Sequence, residues 1–235
     1  MNEASVRTET DGSLERLQKK LDKDFTWRKK ELTIAKSNID GSSGEELDFN
    51  LKVATTTLYS HWEGFIKNSS LLYLKYLNKK KYILARLKNN FKILHYTKNI
   101  LDIEGSRKKS KYIELYEAFS KENEDIFCVN LNSNHIINTY GNLKFENLKE
   151  ILFSLNIDVT DFQMKDNLID INLLSVRNKI AHGEYHSYVN HSTTSENSNR
   201  VKDEFFQLYD DILSLMELFK DRIIEAALEE SYLAD

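Results

Sequence analysis

The sequence predicts an all-α protein, and three observations lead to this prediction. The chain has no proline and only seven glycines in 235 residues, so long helices meet few residues that break them. Its hydrophobic content of 40% is enough for a core of its own. Apolar residues also recur at helical spacing along most of the chain. We therefore expect one helical domain over residues 13–235.

The N-terminal part predicts two long helices. Residues 1–12 have no hydrophobic periodicity, and we expect them to be disordered. Leucines and other apolar residues at helical spacing predict a first helix from Ser13 to Ile39. Ser43 and Glu46 have the spacing of a capping box, which predicts the start of a second helix that continues through Leu72.

The rest of the chain predicts shorter elements and a final long helix. Residues 83–140 are predicted to be an insertion with helical pieces and a short strand or extended loop. Thr160 and Gln163 have the spacing of a second capping box, at the start of a further helix. The polar segment Tyr185–Asn199 is predicted to be a loop, and Val201–Leu228 a final amphipathic helix.

Composition excludes several classes of protein. The single cysteine, Cys128, rules out an intramolecular disulfide and a cysteine-rich metal site. There is no run of about 18 apolar residues, and the N-terminus is polar, unlike a signal peptide. We expect a soluble, cytoplasmic protein that does not associate with membranes. No metal and no cofactor are predicted, and the histidines His61, His186 and His191 are expected to be solvated.

Basic residues are concentrated in one part of the chain. The net charge is −4, but Lys67–Lys111 contains thirteen Lys or Arg and two acids, which leaves +11 there and −15 elsewhere. Aromatic residues lie among these bases, at Tyr76, Tyr82 and Phe91. This mixture suits phosphate contacts and base stacking, and the predicted contacts are Lys79, Lys80, Lys81, Arg86 and Lys88. The other interpretation is a solvated helix face whose aromatic rings point inward, and the segment taken alone favours it.

The segment "LLSVRNKIAHGEYH", Leu173–His186, places polar residues in the most apolar part of the chain. On a wheel of about 100° per residue, one apolar stripe contains Ile169, Leu173, Val176 and Ile180. Ile171 lies on another side, next to Asn178 and His182, so the helix is apolar on more than one side. We therefore expect it to be covered on two sides, by its own domain or by a partner subunit. Gly183 is predicted to end the helix.

Arg177, Asn178 and His182 are the residue types that metal-free cleavage of a phosphodiester requires. A guanidinium binds non-bridging phosphate oxygens and neutralises charge in the transition state. A histidine takes a proton from a ribose 2′-hydroxyl or gives one to the leaving 5′-oxygen. Asn178 and His182 are four residues apart, so the amide can hydrogen-bond the imidazole. One protomer lacks a second histidine in this motif, and a two-fold dimer would supply it.

These residues resemble the HEPN superfamily. "RNKIAH", Arg177–His182, matches the superfamily signature of an arginine, four to six residues and a histidine. Upstream, "LYSHWEGFIKNSSLLYLKYL" resembles the first core helix of a bacterial HEPN branch with a Trp-Glu-x-Phe element. That element here consists of Trp62, Glu63 and Phe65. The resemblance covers Glu45 to about Lys80 and Leu143 to about Leu228.

The resemblance implies a HEPN-like helical bundle with an added N-terminal helix and an inserted basic helical segment. It implies a metal-independent endoribonuclease of a bacterial defence or toxin–antitoxin system, with a site shared across a homodimer. Arg177 would bind phosphate, His182 would act as general acid or base, and Asn178 and Glu63 would tune the site. The basic segment would guide RNA, and an antitoxin or defence-system protein is an expected partner. HEPN toxins silenced by nucleotidylation have a tyrosine where this chain has Glu184.

Other interpretations stay open on the sequence alone. Some HEPN domains keep the fold but serve as binding or dimerisation modules, and fold does not separate these from nucleases. Arg177 and His182 would then form a structural polar network at a helix end. Asn178 is equally suited to a cap-region polar role. Glu63 suits an ordinary surface position slightly better than an active-site role.

Overall fold

The computed structural model describes residues 3–189 and 195–234, and every named element in them is helical. The α-helices in chain order are α1 (Glu3–Asp40), α2 (Gly44–Lys80), α3 (Asn89–Ile103), α4 (Lys109–Ser120), α5 (Phe145–Ser154), α6 (Val176–Ala181) and α7 (Ser195–Leu228). Between α5 and α6 lie a 3₁₀ helix, Thr160–Lys165, and a π-helix, Leu168–Ser175. Within the described residues, extended pairing is limited to two isolated bridges. The predicted all-α fold is confirmed.

Helix α2 is the central element of the bundle, and α1 and α7 pack along it. Tyr59 and His61 are both buried, although two residues apart on a helix point about 200° apart. Helix α2 is therefore covered on two sides. His61 faces α1, where it contacts Arg28, and Tyr59 faces α6, where it contacts Arg177. No helix in the described part of the chain has the length and apolarity that a membrane-spanning segment needs.

The first and last helices are longer than predicted. Helix α1 begins at Glu3 rather than Ser13. Residues 3–12, which were expected to be disordered, are therefore helical. This segment contains no proline, and a helix can continue without an apolar stripe when its residues have adequate helix propensity. Helix α7 begins at Ser195, so residues 195–199 of the predicted loop are helical. The loop residues 190–194 lie outside the described residues.

Residues 83–140 share the hydrophobic core of the bundle. They contain α3, α4 and a short 3₁₀ turn, Leu84–Arg86. The predicted strand is reduced to one bridge, between Ile83 and Ile126. Phe91 and Phe127 are fully buried in the same apolar cluster as the α2 side chains.

Neither predicted capping box forms. Ser43 is the N-cap residue of α2, but its side chain makes no capping hydrogen bond. Thr160 begins the 3₁₀ helix, and Asp158 Oδ1 accepts hydrogen bonds from its amide and its hydroxyl, at 2.9 and 2.8 Å. The Thr160 hydroxyl thus donates to Asp158 instead of accepting from an amide of the following turn, since short polar side chains commonly bond nearby groups in turns.

The π-helix changes the predicted apolar stripe before α6. Ile169 and Leu173 are buried as predicted, but Val176 and Ile180 are only half-buried. A π-helix bonds i to i+5 and rotates less per residue than an α-helix, so a stripe drawn at 100° per residue drifts across it. Ile171, predicted to lie on a second covered face, is 58% exposed in the single chain.

Candidate functional site

Arg177 lies against the central helix and is held by neutral groups. Its guanidinium carbon is 4.3 Å from the centre of the Tyr59 ring on α2. Arg177 Nη1 donates to Asn178 Oδ1 at 2.7 Å and to Asn142 Oδ1 at 3.2 Å. Among the described residues no carboxylate lies within ion-pair distance of this half-buried cation. The positive charge is therefore held in place without being neutralised.

The remaining donors of Arg177 are free. A guanidinium has five N–H groups in a fixed planar fork. Both of its hydrogen bonds leave from Nη1, and Nε and Nη2 have no partner within the described part of the chain. This geometry leaves one edge of the fork open for an oxyanion, which such a fork binds in bidentate fashion.

Tyr59 supports Arg177 and was missed by the sequence reasoning. Its side chain is fully buried, and its hydroxyl accepts a hydrogen bond from the Leu143 amide at 2.7 Å. Burial raises the pKa of Tyr59 to about 12; the Glu63 carboxylate adds to the rise, whereas the Leu143 amide and Arg177 oppose it. Tyr59 therefore stays neutral at physiological pH. Its position four residues before Glu63, on the same helix face, is the signal that could have identified it.

Asn142 is the second residue that the sequence reasoning missed. It follows a turn in which Tyr140 and Gly141 both have positive φ, 53° and 70°. Its amide donates to Thr139 O at 3.0 Å, and its carbonyl accepts from the Asn147 side chain at 2.9 Å. The turn before α5 thus fixes the Asn142 side chain in place to receive Arg177. The "YGN" triplet is a turn signal in the sequence, but nothing there shows what the turn contacts.

His182 lies at the end of α6 and is exposed. As predicted, Gly183 ends the helix, with φ of 70°. Glu184 N donates to Lys179 O at 2.9 Å and Gly183 N to Ile180 O at 3.1 Å, which is a Schellman motif. The predicted hydrogen bond between the Asn178 amide and the His182 imidazole is wrong, because the Asn178 side chain bonds Arg177 instead. Among the described residues the His182 side chain has no hydrogen-bond partner.

The loop after His182 is fixed to the start of α2. Asp48 Oδ1 accepts hydrogen bonds from Tyr188 N at 2.6 Å, Ser187 Oγ at 3.1 Å and Val189 N at 3.3 Å. The Tyr188 hydroxyl lies 2.7 Å from Thr55 Oγ1. These contacts limit how far the chain that follows His182 can move.

The Trp-Glu-x-Phe element has a mainly structural environment. Trp62 and Phe65 are fully buried, and Glu63 is half-buried beside Tyr59. Gly64 leaves room for the buried Arg28, because a Cβ there would lie 2.8 Å from Arg28 Nη1. Glu63 interacts with Tyr59, whose ring lies against Arg177.

The other histidines differ from expectation. His61 is buried, not solvated, with Nε2 3.1 Å from Glu31 and Nδ1 3.5 Å from Arg28. His186 is half-buried and its ring lies edge-on to Tyr188. His191 lies outside the described residues. No group of three or more His, Cys, Asp or Glu side chains in the described residues could hold a metal ion.

The predicted RNA contacts lie far from Arg177. Lys79, Lys81 and Arg86 are exposed, whereas Lys80 and Lys88 are half-buried. Tyr59 and Lys79 are both on the continuous helix α2, and at 1.5 Å per residue they are roughly 30 Å apart.

Of the two interpretations of the basic segment, inward-facing aromatic rings hold for Tyr76 and Phe91, and these two rings are not free to stack on bases. Tyr76 and Phe91 belong to the core, where Tyr76 packs on Tyr73 and Tyr232. Tyr82 is half-buried, and its hydroxyl bonds Glu230.

Comparison with known proteins gives one match. The sequence model of the RiboL-PSP-HEPN family matches residues 23–225. This range includes residues 23–40 of α1, all of residues 83–140, and the site residues Tyr59, Asn142, Arg177 and His182. No curated protein and no solved structure matches the chain.

Proposed function

Since the chain belongs to the RiboL-PSP-HEPN family, we propose that it is a metal-independent endoribonuclease that acts as a homodimer. Membership of a HEPN family indicates a role in RNA cleavage or RNA binding. The proposal goes further and assigns phosphate binding to Arg177 and proton transfer to His182. Asn178 orients Arg177, and Glu63 tunes the site through Tyr59. The setting we propose is a bacterial defence or toxin–antitoxin system, with an antitoxin or defence protein as partner.

The proposal rests on one observation, the way in which the Arg177 guanidinium is held without a carboxylate partner among the described residues. A half-buried cation is costly unless it is paired, and a purely structural arginine would be expected to have a carboxylate partner. Arg177 instead has an aromatic ring beneath it, two amide oxygens on one nitrogen, and open donors on the other two. A phosphate of the substrate would supply the missing negative charge and accept the open donors.

The proposed reaction uses the substrate's own hydroxyl. His182 takes the proton of a ribose 2′-hydroxyl, and the 2′-oxygen attacks the adjacent phosphorus. The bond from phosphorus to the 5′-oxygen breaks, and that oxygen receives a proton from a second imidazole or from water. Arg177 stabilises the charge on the non-bridging oxygens. The products are a 2′,3′-cyclic phosphate and a 5′-hydroxyl, and DNA, which lacks the 2′-hydroxyl, is not cut.

A shared site explains why one protomer looks incomplete. Arg177 and His182 are five residues apart, so on a helix they point about 140° apart. Arg177 turns towards α2, whereas His182 stays exposed. A two-fold axis near α6 would bring His182 of one protomer to Arg177 of the other, and it would cover the exposed Ile171.

Mixing two inactive variants tests the shared site. Arg177→Ala and His182→Ala are each expected to lose cleavage while remaining folded dimers in sedimentation analysis. Co-refolded as a heterodimer, they keep one intact Arg177 and one intact His182 in one composite site, so cleavage should partly return. Heterodimers that form but stay inactive would contradict a shared site, and a monomeric wild type would remove it altogether.

The second candidate function is a non-catalytic RNA-binding module. It is favoured by one observation, the absence of any contact that orients the His182 imidazole among the described residues. In that case the wild-type dimer binds RNA through Arg177 without cutting it. Binding by the wild type with no products from a varied set of RNAs would select this alternative.

A further inference from the structure

A second cationic feature lies between α1 and α2, far from Arg177. Near the C-terminal end of α2 the two antiparallel helices enclose a groove of about 120 Å³. Four cationic side chains line it: Arg16 and Lys20 from α1, and Lys75 and Lys79 from α2. All four residues are exposed, and the groove floor is formed by Leu17, Leu72 and Tyr76. Among the residues whose side chains the structure describes, no acidic residue lines the groove.

This concentration of charge has a cost that the fold does not explain. Arg16 and Lys20 are four apart, as are Lys75 and Lys79, and like charges at this spacing destabilise a helix by roughly 0.2–0.5 kcal/mol per pair. The neighbouring Lys80 ammonium is buried 5.0 Å from the centre of the Tyr76 ring, without a hydrogen-bond partner among the described residues. A bound polyanion would offset this repulsion.

We propose that this groove binds the phosphate backbone of the RNA strand whose cleavage is proposed above, at a point remote from the scissile bond. The inference rests on the proposed function for its substrate class. It adds α1 to the RNA-binding surface, through Arg16 and Lys20, and gives Lys75 and Lys79 a defined role. Because Tyr76 is buried, the groove offers charge without a stacking surface, so its contacts are independent of base sequence.

The distance along α2 sets a length requirement on the substrate. Tyr59, which lies under Arg177, is 16 residues from Lys75 and 20 from Lys79, which corresponds to roughly 24–30 Å of helix. A stacked strand rises about 3.4 Å per nucleotide, so roughly seven to nine nucleotides separate the two sites. Shorter RNAs reach Arg177 or the groove but not both.

Binding by a cleavage-deficient protein tests the groove. The full chain carrying His182→Ala is titrated against fluorescent single-stranded RNA at several salt concentrations, with and without Arg16→Glu and Lys20→Glu together. The matched control is Lys23→Glu with Lys30→Glu, which makes the same charge change at exposed positions of α1 outside the groove. Removing two phosphate contacts should reduce the slope of log affinity against log salt by about 1.4, at ~0.7 per contact.

The possible outcomes distinguish RNA binding in the groove from RNA cleavage at Arg177 and His182. The groove variant should bind a long RNA more weakly than the control variant does. This difference should shrink for an RNA of about four nucleotides, which cannot span ~24 Å and occupies one site at a time. Equal salt slopes for groove and control variants on long RNA would overturn the proposal and leave the cleavage site unaffected. If the wild type cuts no RNA but the groove variant still binds long RNA more weakly than the control, the proposed nuclease activity is overturned and the groove remains an RNA-binding site.

Discussion

The Arg177 guanidinium rests 4.3 Å from the centre of the Tyr59 ring, which joins the Arg-to-His motif to the central helix. Tyr59 in turn holds the turn before α5, because its hydroxyl accepts the Leu143 amide. One aromatic side chain therefore sets the relation between three separate segments: α2, the turn that carries Asn142, and α6. The two contacts use different parts of Tyr59: its ring face supports Arg177, and its hydroxyl holds the turn.

Removing the Tyr59 hydroxyl should lower stability. Tyr59→Phe keeps the ring under Arg177 but leaves the Leu143 amide, in a fully buried residue, without an acceptor. An unpaired buried donor costs about 1–3 kcal/mol, so the free energy of unfolding in urea should fall by that amount. Tyr185→Phe, at a side chain that is 92% exposed, is the control and should change nothing. An unchanged Tyr59→Phe midpoint would show that the hydrogen bond is dispensable.

Adding a methyl group at Gly64 should also destabilise the protein, against the usual trend. Glycine to alanine inside a helix normally gains up to about 1 kcal/mol. Here the new Cβ would lie 2.8 Å from Arg28 Nη1, on a buried guanidinium that bonds Asp24 at 3.0 Å. Thermal unfolding should show a lower Tm for Gly64→Ala. Gly12→Ala on α1, where the nearest atom is the flexible Arg16 terminus at 3.4 Å, should not lower it.

Acid should weaken the α1–α2 contact through His61. Burial, and then Arg28, lower the pKa of His61 below its ordinary 6.5, so the unfolded chain binds the proton more readily. The stabilisation is thus fully present above pH 6.5 and is lost as the pH falls through the lowered value. His95 and His186 have pKa values shifted in the same direction, mainly by burial. His61→Gln should therefore flatten, but not abolish, the fall of Tm with acid; an unchanged slope would contradict this assignment.

Loss of the Asp48 carboxylate should release the loop that follows His182. Asp48→Ala removes the acceptor of the Tyr188 and Val189 amides. Hydrogen exchange should show faster exchange at these two amides while α1 stays protected. Asp203→Ala, at an exposed acid on α7, is the control and should leave the loop unchanged. Protection that survives in Asp48→Ala would mean that the Tyr188 ring alone holds the loop.

The helical fold could be predicted from hydrophobic periodicity. Its details depended on tertiary contacts, which a helical wheel does not show. The absence of proline and the spacing of apolar residues gave the bundle and the two long N-terminal helices. The π-helix at Leu168–Ser175 could not be foreseen, because tertiary packing decides where a helix widens. The sequence also could not show which way the aromatic rings of the basic segment face. Tyr76 points inward because it packs on Tyr232, which is distant in sequence.

The candidate site could be predicted only where its residues are close in sequence. Arg177, Asn178 and His182 are recognisable as a motif, and Gly183 as its end. Their partners Tyr59 and Asn142 are 118 and 35 residues from Arg177 and carry no local signature of that contact. The Asn178 side chain was expected to bond His182, but in the structure its oxygen accepts from the charged Arg177 guanidinium, which is a stronger donor.

The most direct test of the central claim is incubation of the purified protein with total RNA in EDTA, with His182→Ala beside it and the product ends identified. The wild type should cleave RNA and leave 2′,3′-cyclic phosphate, or its hydrolysed form, and 5′-hydroxyl ends. His182→Ala should lose about 10²- to 10⁴-fold of the rate, the usual share of general acid–base catalysis. A requirement for magnesium, 5′-phosphate ends, or undiminished cleavage by His182→Ala would contradict it.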